Sequence, residues 1–317
     1  MENFFEIRDL WVFYKTFDGI ARAVNGLNMK LKMQESLGLA GETGAGKTTT
    51  ALSILKLLPP RISQISQGRI LYKGVDLIKK SDNFLEKIRG KNISMIFQNP
   101  LTSVNPVFTI GEQISMIFIQ HYKLSKKEAW KNAGEMLEIV GIPLRRAEEY
   151  PHQFSGGMRQ RVGIAAALAC KPDLLIADEP TTALDVTIQA QVLELLKELM
   201  RKSNTSLIMI SHNLGVIAEI CQNIAIIYAG SIVEYGSIEQ VYKNPLHPYT
   251  RGLFASLPNI YDEKERLNAM KGIIADAFNL PKGCKFNPRC PIAIKKCKFN
   301  IPNLEKVKSD HYVACFL

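Results

Sequence analysis

The chain has 317 residues, 46% of them hydrophobic and 22% charged, which is ordinary for a globular protein and leaves room for one large domain plus an extension. No apolar run approaches the roughly 20 residues of a membrane helix, and Met1 to Glu6 lack the basic start and apolar stretch of a secretory signal, so the chain is expected to stay in the cytoplasm. The formal net charge of +10 suits nucleic acid, an anionic membrane face or a solvated basic surface, and does not choose among them.

Residues 1–35 alternate in a strand-like way, with an Asp18-Gly19 turn between Leu10–Phe17 and Ile20–Leu31. The apolar run Ser36-Leu37-Gly38-Leu39-Ala40 then leads into Gly41-Glu42-Thr43-Gly44-Ala45-Gly46-Lys47-Thr48, and a helical segment follows from Thr49 to Leu58. Strand, glycine loop and helix in this order carry the G-x-x-x-x-G-K-[ST] pattern of a phosphate-binding loop. Its glycines let backbone N–H groups turn inward without a Cβ in the way. Together with the helix N-terminus they make a concave site for phosphate oxygens. Lys47 is placed to reach the β- and γ-phosphates, and Thr48 Oγ to bind Mg²⁺.

A second strand-turn group covers residues 68–74, and Ile93 to Phe97 reads as a buried strand ending at Gln98. From Asn99 to about Ser155 the pattern is helical. One helix spans Gly111–Tyr122, and a second runs from a capping box at Ser125 and Glu128 to about Val140. Strands resume at Leu174–Ala177 and Leu207–Ile210, separated by an amphipathic helix from Val186 to Arg201 with Asp185 as its N-cap. A last β group covers Ile224 to Glu234. After Pro245 the pattern loosens into a basic, cysteine-bearing tail.

Three features add chemistry to the glycine loop. The strand Leu174–Ala177 ends in Asp178 and Glu179, which can serve Mg²⁺ and the water that attacks the γ-phosphate. Taken alone, two acids after a strand are usually a solvated edge; the upstream loop reverses that reading. Gln98 can contact the metal or the water, and His212 the γ-phosphate, although each by itself suits a purely structural role. Ser155-Gly156-Gly157-Met158-Arg159-Gln160 opens another helix with a second glycine-rich start suited to phosphate. One nucleotide has no evident need of two such sites in one subunit, whereas a head-to-tail dimer uses both.

At this point Ser155–Gln160 resembles the signature of ABC-type ATPases, and the other family markers follow in order. Gly41–Thr48 looks like Walker A, Gln98 the Q-loop glutamine, Asp178-Glu179 the end of Walker B, Ala183-Leu184-Asp185 the D-loop, and His212 the switch histidine. Tyr14 occupies the place of the aromatic that stacks on adenine, with Phe13 and Phe17 as neighbouring alternatives. The match covers roughly residues 4 to 250. It implies a P-loop NTPase of the α/β class, with a RecA-like core, an N-terminal antiparallel β subdomain and a helical signature subdomain at about 100–165. Residues 251–317 then form a small cysteine-bearing extension.

The resemblance implies that ATP is bound by Tyr14, Gly41, Glu42, Thr43, Gly44, Ala45, Gly46, Lys47, Thr48 and Thr49, and in trans by Ser155, Gly156, Gly157 and Asp185. Mg²⁺ would be held through Thr48, Gln98 and Asp178, with Glu179, His212 and Gln98 as the catalytic group. More narrowly, Met95–Pro106 and Pro245-Leu246-His247-Pro248-Tyr249-Thr250 resemble the D-type ATPase subunits of dipeptide and oligopeptide importers. Importers of nickel and some sugars share parts of both segments. Implied partners are a second, related ATPase subunit, two integral membrane permease subunits docked on Asn99–Gln120, and, indirectly, an extracytoplasmic peptide-binding protein. The location implied is the cytoplasmic membrane face, and no nucleic acid is expected. A soluble ABC ATPase, or an iron–sulfur sensor with nucleotide as effector, are the rival classes.

The tail places Cys284, Cys290, Cys297 and Cys315 at separations of five, six and seventeen intervening residues. The close C-x-x-C pairs of structural zinc sites are missing, and such loose spacing suits a [4Fe–4S] cubane. Lys282, Lys285, Arg289, Lys295, Lys296 and Lys298 would balance its negative charge. Residues 283–291 also resemble the extension of peptide-importer ATPases, which can hold such a cluster. Zinc and purely structural thiols remain the alternatives. Cys170 and Cys221, in apolar segments, read as ordinary buried thiols.

Overall fold

The computed structural model describes residues 4–99, 104–182, 184–256, 270–308 and 310–316. Strands β1 to β5 are Phe5–Thr16, Gly19–Leu31, Ser36–Ala40, Ser63–Tyr72 and Val75–Asp76. Strands β6 to β8 are Ile93–Ile96, Leu174–Asp178 and Ser206–Ile210, and β9 to β12 are Asn223–Tyr228, Ser231–Ser237, Glu305–Lys308 and His311–Val313. Helices α1 to α5 are Lys47–Ile54, Asp82–Ile88, Ile110–Tyr122, Lys126–Ile139 and Gly156–Leu168. Helices α6 to α9 are Val186–Ser203, Leu214–Ile220, Ile238–Lys243 and Pro248–Ala255. The chain divides into two compact units, one of residues 1–31, 37–78 and 211–317 and one of residues 32–36 and 79–210.

In the first unit, alternation along β1 and β2 produces an antiparallel sheet in the order β2-β1-β4-β5. The unit also contains a run of strands in the order β11-β12-β10-β9-β3. There β3 pairs parallel with β9, from Leu37 opposite Asn223 to Ala40 opposite Ile226. All five residues of β3 are buried, which is why it reads as a continuous apolar run instead of an alternation. The helix after the glycine loop starts at Lys47, two residues earlier than its apolar pattern indicates, and ends at Ile54. Pro59 and Pro60 lie just beyond and cannot continue it.

In the second unit, β6, β7 and β8 run parallel, with Ile93 opposite Leu174 and Leu174 opposite Ser206. All of their residues are buried. Helix α4 begins with the expected Ser125–Glu128 capping box. Helix α3 begins one residue before its apolar pattern, because Thr109 and Glu112 form a second capping box. Helix α6 has Asp185 at its N-cap, accepting from the Ile188 N–H at 2.9 Å, and ends on Asn204 in the left-handed conformation. Cys170 and Cys221 are buried thiols as the sequence indicates, and burial pushes Cys221 up to about 12.

The tail is more ordered than its composition suggests. Strand β12 adds antiparallel to β10, with Tyr235 opposite Tyr312, and β11 pairs with β12 in turn. These strands are three and four residues long, and Glu305-Lys306-Val307-Lys308 is exposed throughout, so no hydrophobic alternation marks them in sequence.

Candidate functional site

The glycine loop lies between β3 and α1 in the first unit. Gly46 is the N-cap of α1 with φ +99°, and a Cβ there would sit 2.3 Å from the Ala23 carbonyl oxygen. At Gly41, φ is +151° and a Cβ would meet the Ile227 carbonyl oxygen at 2.2 Å. Only glycine satisfies both the conformation and the close backbone approach at these two positions. Gly44 faces open space, and Thr43, Gly44 and Thr48 are exposed. The loop therefore presents one open face, as a phosphate cradle requires.

Lys47 folds back over this loop. Its Nζ donates to the Gly41 carbonyl at 2.7 Å and to the Glu42 carbonyl at 3.0 Å. Tyr14 and Thr49 share a hydroxyl hydrogen bond of 3.2 Å, which brings the candidate adenine-stacking ring to the start of α1. Phe17 stands fully in solvent, and it makes the less anchored alternative. The Ser211 N–H donates to the Leu39 carbonyl at 3.4 Å, so exposed His212 follows directly on a contact with the strand that feeds the loop.

The second unit gathers Gln98, Glu179 and Thr182. Gln98 Nε2 donates to Glu179 Oε2 at 3.0 Å, and the Thr182 hydroxyl donates to the same oxygen at 2.9 Å. Glu179 has φ +48°, an uncommon conformation for a non-glycine residue. Its own N–H is held by the Ile210 carbonyl at 2.9 Å. Asp178 closes β7 and is 1% exposed.

Ser155 is the N-cap of α5, and its hydroxyl accepts from the Met158 N–H at 3.4 Å. Ser155 and Gly156 are exposed. A Cβ on Gly157 would approach Ile188 Cγ2 to 2.6 Å, and the Ile188 N–H is the one that Asp185 caps. The starts of α5 and α6 are thus packed against each other, bringing Gly157 and Asp185 together. Ala183 lies outside the described residues, as do residues 100–103 of the segment after Gln98.

The tail reaches the glycine loop, which the sequence alone does not reveal. Arg289 Nη1 and Nη2 donate to Glu42 Oε2 and Oε1 at 2.7 and 3.0 Å. Their side chains are 4% and 23% exposed. This bidentate bond raises the already high guanidinium pKa. The Glu42 N–H donates to Tyr249 Oη at 2.9 Å, and burial raises that phenol.

Tyr249 is in turn set by the Pro245–Thr250 segment. The N–H of Tyr249 donates to His247 Nδ1 at 3.0 Å, and the His247 N–H donates to Glu234 Oε2 at 2.9 Å. Burial pushes His247 down to about 4, which keeps the imidazole neutral and able to accept. Its Pro-x-His-Pro-Tyr pattern is the one signal of this anchor visible in the sequence.

The cluster expectation finds no support among the described residues. Among the described residues, no group of three or more His, Cys, Asp or Glu side chains could hold a metal ion. All four tail cysteines are free thiols. Burial first raises Cys284 and Cys290; hydrogen bonds from the Phe286 and Ile292 N–H groups oppose it, and repulsion from the other tail thiols adds to it. Three of the six cations assigned to balance a cluster are engaged elsewhere. Arg289 binds Glu42, Lys285 Nζ donates to Ser231 Oγ at 2.6 Å and the Ala229 carbonyl at 3.3 Å, and Lys296 sits over the Phe316 ring at 4.3 Å.

Comparison with known proteins now bears on this geometry. Residues 24–182 match the family model described as ABC transporter, and residues 233–297 match that described as oligopeptide/dipeptide transporter, C-terminal region. The chain is 47% identical over 315 residues to the oligopeptide transport ATP-binding protein OppD of Bacillus subtilis, covering 98% of this chain and 88% of that protein. It is 46% identical over 320 residues to the dipeptide transport ATP-binding protein DppD of the same organism, covering 100% and 95%. Among solved structures, a dimeric ATP-binding cassette in a post-hydrolysis state with ADP and phosphate matches with TM-score 0.67 and 28% identity, over 74% of this chain and 98% of that one. Clostridium perfringens cbiO1, part of an ABC transporter complex, matches with TM-score 0.65 and 26% identity, over 77% and 92%.

Proposed function

The chain belongs to the ABC transporter family of ATP-binding proteins, and from that premise we propose that it is the ATP-hydrolysing subunit of a dipeptide or oligopeptide importer. The observation that carries the peptide assignment is the presence, in one chain, of an ABC transporter region at 24–182 and an oligopeptide/dipeptide transporter C-terminal region at 233–297. The open glycine loop supports ATP as substrate, with Lys47 and the N–H groups of α1 meeting its phosphates.

Thr48, Gln98 and Asp178 are all oxygen donors, which suits Mg²⁺. Because Gln98 gives its amide N–H to Glu179, its carbonyl oxygen is left for other partners. The metal would neutralise charge developing on the phosphates. Glu179, steered by Gln98 and Thr182, takes the proton of the attacking water. His212 hydrogen-bonds the γ-phosphate.

Two copies of the cassette, identical or related, sandwich ATP head to tail. Ser155, Gly156, Gly157 and Asp185 of one subunit then complete the other's site, a reading supported by the exposed, mutually packed starts of α5 and α6. Among the described residues no helix is long and apolar enough to cross a membrane. In the proposed importer the chain works peripherally, on the cytoplasmic face, against two permease subunits. Val107 and Met116, 70% and 45% exposed, offer apolar docking area after Gln98.

The test is reconstitution with the permease subunits and an extracytoplasmic peptide-binding protein in lipid vesicles. ATP hydrolysis should rise when a di- or oligopeptide is supplied. Stimulation by nickel and not by peptide would overturn the peptide assignment.

A further inference from the structure

Glu42 is held at every polar group it has. Tyr249 takes its N–H, Lys47 its carbonyl oxygen, and Arg289 both carboxylate oxygens. Two of these partners, Tyr249 and Arg289, come from beyond residue 245, and Lys47 is the phosphate-reaching lysine itself. A continuous polar path therefore runs from the tail through one loop residue to the ammonium group that must meet ATP.

Arg289 is itself fixed on several sides. Its guanidinium lies over the rings of Tyr228 and Phe286 at 5.8 and 5.9 Å, and Nε donates to the Lys271 carbonyl at 3.4 Å. Phe286 packs against Tyr228 and Tyr249 with ring centroids 5.2 and 5.5 Å apart. The fork is thus locked in one orientation before it meets Glu42, so it constrains the loop and does not merely follow it.

We propose that Arg289 is a positioning residue for ATP binding, acting through Glu42 to set the conformation of the glycine loop and the reach of Lys47. This rests on the assignment of the loop as the nucleotide site. Lys47 Nζ is bound to the Gly41 and Glu42 carbonyls, and to meet the phosphates it must share or leave them. Where the Glu42 carbonyl lies decides how much that exchange costs. A Glu42 released from Arg289 keeps its backbone bonds to Tyr249, Ala45 and Lys47 but loses its side-chain anchor, and the loop then binds nucleotide from a wider set of conformations.

The experiment measures the affinity of the full chain for a fluorescent ATP analogue, and the KM and kcat for ATP, in Arg289→Ala, Arg289→Lys, Glu42→Gln and the double variant Arg289→Ala/Glu42→Gln. Arg289→Ala and Glu42→Gln should each weaken nucleotide binding about tenfold, with the loss in KM and not in kcat. The double variant should be no worse than the poorer single variant, because both remove one interaction. Arg289→Lys, which keeps charge without the fork, should recover only part of the affinity.

Unchanged affinity, or additive losses in the double variant, would overturn the proposal. If Arg289→Ala fails to fold, Glu42→Gln carries the same test, since it leaves the aromatic packing of the tail untouched. Lys47→Ala separates this inference from its premise. If that variant still binds nucleotide normally, the loop assignment fails. If it loses binding while Arg289→Ala and Glu42→Gln do not, the positioning role alone fails.

Discussion

Gln98 Nε2 and Glu179 Oε2 are joined by a 3.0 Å hydrogen bond between residues 81 positions apart. The bond ties the end of β6 to the end of β7, so any displacement of the segment after Gln98 acts directly on the proposed general base. Replacing Glu179 with Gln removes the basic oxygen but keeps the shape. The variant should retain ATP binding and lose turnover by about 10²–10⁴, or ~3–5 kcal/mol of barrier. Steady-state phosphate release, with ATP-dependent dimerisation followed by size-exclusion chromatography, checks both halves. Normal turnover would remove Glu179 from this role.

The glycine loop allows a sharper contrast, between two of its own glycines. At Gly46 a Cβ would collide with the backbone oxygen of Ala23, while at Gly44 it would enter open space. Both have positive φ, so each alanine carries the conformational cost of about 1 kcal/mol. Only Gly46→Ala adds a clash with backbone, which a rotamer change cannot relieve. Thermal unfolding should show Gly46→Ala clearly less stable than Gly44→Ala. Equal melting temperatures would mean the loop relaxes more freely than its packing indicates.

The two positions also mark what can be read from the chain itself. Gly41–Thr48, Asp178-Glu179 and Ser155–Gly157 are legible because each has local chemistry: a turn conformation, a strand end, a helix start. The Ser125 capping box and the Asp185 N-cap are legible for the same reason. Arg289 is different. It is 247 residues from Glu42, and in sequence it sits beside Cys290 among basic residues, where the local reading assigns it to charge balance. No periodicity or spacing encodes a pair whose partners meet only after folding. Strands β11 and β12 escaped for another reason: β11 is exposed throughout and mostly charged, and β12 has only three residues.

The buried carboxylate of Glu234 is the mechanical root of the tail. It is 0% exposed and receives the Leu246 N–H at 2.8 Å, the His247 N–H at 2.9 Å and His311 Nε2 at 2.7 Å. Glu234→Ala leaves these buried groups without their acceptor, a loss of about 3–5 kcal/mol. Urea denaturation should show that loss. Because His247 sets Tyr249, and Tyr249 holds the Glu42 N–H, nucleotide affinity should fall with it. A variant as stable as the wild type would show that the three donors find other acceptors.

Lys285 supplies a pH signature. Burial lowers its pKa from 10.5 to about 8, so the folded state holds this proton less tightly than the unfolded chain. Below pH ~8 the lysine is charged in both states and its burial costs stability, by about 3 kcal/mol from the size of the shift. Between the folded and unfolded values the unfolded chain binds more protons, and stability rises with pH through that window. Lys285→Met keeps the aliphatic stem and removes the charge. Its two acceptors are not stranded, because Ser231 Oγ also donates to the Asn25 carbonyl at 2.6 Å and the Ala229 carbonyl also accepts from Asn25 Nδ2 at 2.9 Å. The variant should therefore be more stable than the wild type at pH 7, and the difference should shrink as pH climbs from 8 towards 10.5. Melting temperatures of both proteins across that range decide the matter. A variant less stable at pH 7, with an unchanged pH slope, would mean that the two hydrogen bonds of Lys285 outweigh the cost of burying its charge.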